Sequence, residues 1–198
     1  MREDSLHIPA IKVNQWLTDW NKVKFDKDEY RRKPPKEFFI FSMSAKLLRK
    51  LADISRRKQD KVLPRRDDTG IQRRHEPRRS DEIKRFVTGG FPWSELSSSQ
   101  RKVKEYKDLK MPGWLPTSII INIRKNHNDD NRTPVTPENL ISIDKQNGTH
   151  YIELPEHCKN ANWHPHPAPI EVIDGQHRLW AFSDDKEHEG YELPVVAF

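Results

Sequence analysis

The sequence predicts a mixed α/β (α+β) domain, a sheet with flanking helices. Two strand-then-helix units carry that expectation: Phe38–Phe41 leading into a Leu-rich helix from Ala45, and Ile170–Ile173 leading through Asp174-Gly175 into a helix. The third observation is Pro116 to Ile123, whose four isoleucines in five positions suit a strand covered on both faces.

From residue 7 to about 30, Ile8, Ile11, Val13, Trp16, Leu17 and Trp20 have loosely helical spacing among Lys and Asp, which predicts an amphipathic N-terminal helix or arm. Arg31 to Pro35 is a basic Pro-Pro linker, so the arm is assigned to 1–35 and the domain to 36–198. Phe38-Phe39-Ile40-Phe41 is aromatic and β-branched, a strand. Ser44 is placed to cap a helix from Ala45 to about Ile54, with Leu47, Leu48, Leu51 and Ile54 on one face. Ser80 is placed to cap a second helix from Asp81 to Val87 with Ile83, Phe86 and Val87 as its packing face, stopping near Gly89. Ser94 to Lys110 is more polar and predicts a surface helix with a weak face of Leu96, Val103, Tyr106 and Leu109. Leu140–Ile143 and Tyr151–Leu154 flank Asn147-Gly148, a hairpin signature. Leu193 to Phe198 is a further buried strand. An apolar strand needs a cover, so the pattern predicts a C-terminally truncated domain, the N-terminal part of a longer protein.

The 198 residues are polar, with 33% hydrophobic, 33% charged and a mean hydropathy of −0.98. Fifteen prolines against seven glycines predict stiff connections, and six Trp with eight Phe a small but real core. The net charge of +6 favours polyanionic partners. It is concentrated: Lys46 to Phe86 holds 15 Lys and Arg against 7 Asp and Glu, a local +8. Arg56, Arg57, Lys58, Arg65, Arg66, Arg74, Arg78 and Arg79 are therefore candidate contacts to a DNA backbone, beside the plainer reading of a solvated charged face. Aromatic residues are almost absent from that run, which argues against base stacking there. No apolar stretch approaches a membrane span and Met1-Arg2-Glu3-Asp4 begins no signal region, so a cytoplasmic location without a membrane partner is expected.

Several chemistries lack their residues. There is no G-x-S-x-G, no G-x-x-x-x-G-K-[ST] and no G-x-G-x-x-G. His157, Cys158, His164 and His166 lack zinc-site spacing, so no metal site is assigned to protein ligands. Cys158 is the single cysteine, which excludes an internal disulfide and fits a reducing compartment, and nothing local activates it.

What remains is Asp174-Gly175-Gln176-His177-Arg178 on a strand-turn-helix corner. A glycine turn frees φ, and the first-turn N–H groups with a guanidinium suit a phosphate. By itself the pentapeptide also fits a capped structural corner. Gln72-Arg73, after Gly70, repeats the Gln-Arg pairing, and two arginines on one polyphosphate make a sensible clamp.

These residues resemble the signature of the DGQHR-domain family, in which the DNA sulfur modification protein DndB is found. The order of elements from residue 36 to 198 is similar too. The family resembles the ParB/sulfiredoxin-like superfamily in plan, and the nucleotide-hydrolysing half of GmrSD-type restriction enzymes in its Gln-Arg and Asp-Gly-Gln-Gln-Arg motifs. The resemblance implies a ParB-like mixed sheet, a nucleoside triphosphate with Mg²⁺ as cofactor, and a role in DNA modification (phosphorothioation), its transcriptional regulation or phage defence. DNA, nucleotide and other modification or defence proteins are the implied partners. Carried over, Gln72, Arg73, Gly175, Gln176 and Arg178 hold phosphates, and Asp174 and His177 serve catalysis if an NTPase operates. A GmrSD-type NTP-hydrolysing subunit and a plain DNA-binding module without nucleotide are the rivals. The insertion at Ser94 to Lys110 is larger than the family leads one to expect.

Overall fold

A computed structural model describes residues 7–26, 33–54, 76–125, 134–182, 188 and 190–198. Its frame is an eight-stranded mixed sheet in the order β3-β7-β4-β8-β2-β1-β6-β5. The strands are β1 (His7–Asn14), β2 (Glu37–Ser44), β3 (Ala52–Ile54), β4 (Ile119–Ile123), β5 (Ser142–Gln146), β6 (Thr149–Glu153), β7 (Ile170–Asp174) and β8 (Glu192–Ala197). Among the described residues three α-helices accompany them: α1 (Ala45–Leu51), α2 (Pro77–Gly89) and α3 (Gln176–Trp180). The pairs β3–β7 and β4–β8 are parallel and the rest antiparallel, so the fold is α+β.

Burial follows the alternation of each strand. Ile119, Ile121 and Ile123 of β4, Leu193, Val195 and Ala197 of β8, and Phe39, Phe41 and Met43 of β2 point into one core with Leu48, Leu51 and Leu179. The opposite face is only half-covered: Ile120 and Val196 are partly exposed, and Ile11 and Ile40, paired across β1 and β2, are exposed. Two-sided cover of β4, expected from its apolar run, is thus complete on one side only. The central place of β8 explains its apolar sequence, because it is hydrogen-bonded to β4 and β2 at once. At Asn147-Gly148 both residues have positive φ (49° and 85°), as the hairpin reading requires.

Four expectations are corrected. The N-terminal segment is not a helix. Residues 7–10 pair with β6 and residues 11–14 with β2, and among the described residues before β2 the one helical turn is the 3₁₀ turn Thr18–Lys22. Strand pairing is non-local, and the β-branched Ile8, Ile11 and Val13 suit it better than the irregular helical spacing did. Helix α1 starts at its predicted cap, where the Leu47 N–H donates to Ser44 Oγ at 3.3 Å, but ends at Leu51 because the next residues join β7 as β3. Helix α2 begins at Pro77, so Ser80 is internal, while its end at Gly89 is as expected, followed by Gly90 with positive φ (62°). The surface helix over Ser94 to Lys110 is replaced by three short 3₁₀ turns: Trp93–Glu95, Gln100–Lys102 and Lys104–Leu109. Val103 and Leu109 are exposed and Leu96 and Tyr106 only partly buried, too weak an apolar face to hold a helix.

Candidate functional site

The corner at Asp174 to Arg178 is assembled from three elements. Strand β7 ends at Asp174, antiparallel to β4, whose register shifts between Ile120 and Ile121 right beside it. Gly175 then turns the chain with φ 90° and ψ 14°, a left-handed conformation that side chains resist. A Cβ at this position would lie 2.7 Å from Ile119 Cδ1 and 2.8 Å from Arg178 Nη2. The glycine is therefore favoured chiefly by its φ, and a Cβ would also push the Arg178 side chain aside. Helix α3 follows with only five residues, and its first bond runs from the Leu179 N–H to the Gly175 carbonyl at 3.0 Å.

Arg178 is the most constrained charge of the corner. Its Nη2 donates to the Ser118 carbonyl at 2.8 Å and pairs with Asp174 Oδ2 at 3.4 Å. Its side chain is 23% exposed, whereas that of Asp174 is 67% exposed. Nε is buried and has no acceptor among the described residues. A buried guanidinium N–H left over in this way is a donor that a ligand oxygen or a water can satisfy. Gln176, at the start of α3, is also buried.

His177 points elsewhere. Its Nε2 accepts the N–H of Glu76 at 3.1 Å, and its carbonyl accepts the Ser80 hydroxyl at 3.1 Å. An acceptor at Nε2 implies the tautomer protonated at Nδ1. The imidazole thus ties α3 to the start of α2. The far side of α3 is tied too: Arg49 donates to the Phe182 carbonyl, and the Phe182 ring stacks on Tyr191 at 4.4 Å. Burial there raises the Tyr191 hydroxyl above its ordinary value.

Of the candidate residues, Asp174, Gly175, Gln176, His177 and Arg178 meet at this corner. Gln72 and Arg73 lie outside the described residues, as do Arg56, Arg57, Lys58, Arg65, Arg66 and Arg74. Arg78 and Arg79 are exposed on the first turn of α2, with Arg78 Nε 3.0 Å from Glu82. Sequence reasoning missed Ser118, which acts through a backbone carbonyl that no side-chain pattern reveals, and misread Ser80 as a cap. Cys158 is buried and Lys50 donates to its carbonyl at 2.9 Å, a packing role. Among the described residues no group of three His, Cys, Asp or Glu side chains could hold a metal, and no helix is long and apolar enough to cross a membrane.

No family model, curated protein or solved structure matches this chain.

Proposed function

We propose that the Asp174–Arg178 corner binds the phosphates of a nucleotide in a DNA-associated protein of the DGQHR type. The observation that carries this is the buried, leftover Nε–H of Arg178, on a guanidinium fixed beside a glycine turn. Arginine keeps its charge under all ordinary conditions and presents its donors as a rigid fork suited to phosphate oxygens. Asp174, more exposed, stands where it can orient a water or share a phosphate-bound Mg²⁺, which typically takes one or two carboxylates. Arg73 supports the reading by sequence. The DNA association rests on the +8 segment that includes Arg78 and Arg79.

The test is titration of the purified chain with ATP and CTP, with and without Mg²⁺. Arg178→Ala is expected to abolish binding while the thermal transition stays cooperative, and Arg73→Ala to weaken it at least tenfold. Unchanged affinity in Arg178→Ala sinks the site.

One observation favours a second reading, a DNA-binding module whose corner is only structural: His177 and Arg178 both have local bonding roles. In that case nucleotide does not bind at all, while DNA binding falls steeply with salt.

A further inference from the structure

The segment from Phe91 to Trp114 has no part in the corner just described, and it carries the most exposed aromatic rings of the described chain. Trp114 is 83% exposed and Phe91 67% exposed. An exposed tryptophan leaves a large apolar surface in water, which a folded chain ordinarily hides or uses. These rings do not hang from loose chain. The C-terminal carbonyls of α2 are capped by this segment: Met111 N–H donates to Gly89 at 3.0 Å and Gly113 N–H to Val87 at 3.2 Å. Gly113 lies so close that a Cβ would sit 1.9 Å from the Phe86 carbonyl oxygen, and Trp93 lies equally close on Gly89. Phe91 and Trp114 therefore leave one braced platform at the end of α2.

The same segment carries cations. Arg101 and Lys110 stand over the Trp93 ring at 5.6 and 5.5 Å. Together with Lys102, Lys104 and Lys107 they make five cations, and none has a carboxylate partner among the described residues. Exposed rings to stack on, set among unpaired cations, are what a flexible strand of bases and phosphates needs. A lipid surface fits less well. Interfacial binding uses a continuous amphipathic helix, and here the chain forms three short 3₁₀ turns with Glu95, Glu105 and Asp108 interspersed.

We propose that the Phe91–Trp114 platform binds single-stranded nucleic acid, with bases stacked on Trp114 and Phe91 and phosphates held by Arg101, Lys107 and Lys110. It does not depend on nucleotide binding at Arg178. The test uses the full chain with fluorescein-labelled oligo(dT) and oligo(U), read by anisotropy, the tighter of the two identifying DNA or RNA. Trp114→Ala and Phe91→Ala are each expected to weaken binding roughly 5- to 150-fold, the worth of one stacked base, with Trp114→Phe restoring most of it. Lys107→Glu is expected to flatten the dependence on salt. Trp114 is too exposed for its loss to unfold the chain, and an unchanged thermal transition verifies this. Wild-type affinity in both ring variants overturns the proposal. So does a Trp114 emission shift produced by phosphatidylglycerol vesicles but by neither oligonucleotide, which assigns the platform to lipid.

Discussion

The two ends of α2 are built differently. At its start the helix is locked by side chains: His177 accepts the Glu76 N–H, and the buried Ser80 hydroxyl donates back to the His177 carbonyl. At its end it is locked by backbone bonds from Met111 and Gly113, with Gly113 admitting the Phe86 carbonyl and Gly89 the Trp93 ring where any Cβ would clash. Thirteen residues, roughly 20 Å of helix, separate the two. The first end holds the Asp174–Arg178 corner in shape; the second presents rings and cations to solvent. Glycine contacts brace the platform through backbone at Gly113 and the Trp93 ring at Gly89, which leaves Phe91 and Trp114 available for a ligand. Side-chain locks do the reverse and commit His177 to structure.

The largest effect is expected at the end of α2. Gly113→Ala drives a Cβ onto the Phe86 carbonyl, a backbone atom that cannot rotate away. A loss of about 3 kcal/mol is expected from the overpacking and the broken Gly113 to Val87 bond. Urea denaturation followed by tryptophan emission measures it. Gly175→Ala comes next, at about 1–3 kcal/mol. The atoms it meets, Ile119 Cδ1 and Arg178 Nη2, are ends of side chains that can swing aside, so the cost is mainly the positive φ. Its second consequence is chemical: a displaced guanidinium loses the Ser118 carbonyl, and nucleotide affinity is expected to fall with stability. A larger loss in Gly175→Ala than in Gly113→Ala would reverse the contrast between a hard backbone lock and a yielding side-chain one.

Much of the sheet was legible because its strands announce themselves by composition. Ile119–Ile123, Leu193–Ala197 and the Asn147-Gly148 hairpin needed no partner to be recognised. The failures lie where a distant partner decides. Residues 7–14 became a strand through β2 and β6, and 52–54 left the predicted helix to pair with β7. The Ser94–Lys110 helix failed for the opposite reason, since Val103 and Leu109 of its weak apolar face stay exposed. At the corner, the turn glycine and the arginine were readable as chemistry. Their geometry was not, since the Ser118 carbonyl and the Glu76 N–H are backbone groups brought in by the fold.

The smallest predicted effect separates scaffold from site at the start of α2. Ser80→Ala removes a buried hydroxyl that donates to the His177 carbonyl, and a net hydrogen bond of this kind is worth about 1 kcal/mol. Alanine is at least as good as serine inside a helix, so propensity does not add to the loss. The hydroxyl touches α3 at His177, one residue before Arg178, yet it makes no bond to the guanidinium, which is set by Ser118 and Asp174. Stability is therefore expected to fall by about 1 kcal/mol with nucleotide affinity unchanged. If affinity falls by more than the change in folded fraction explains, the His177 tether positions Arg178, and the start of α2 belongs to the site rather than to its scaffold.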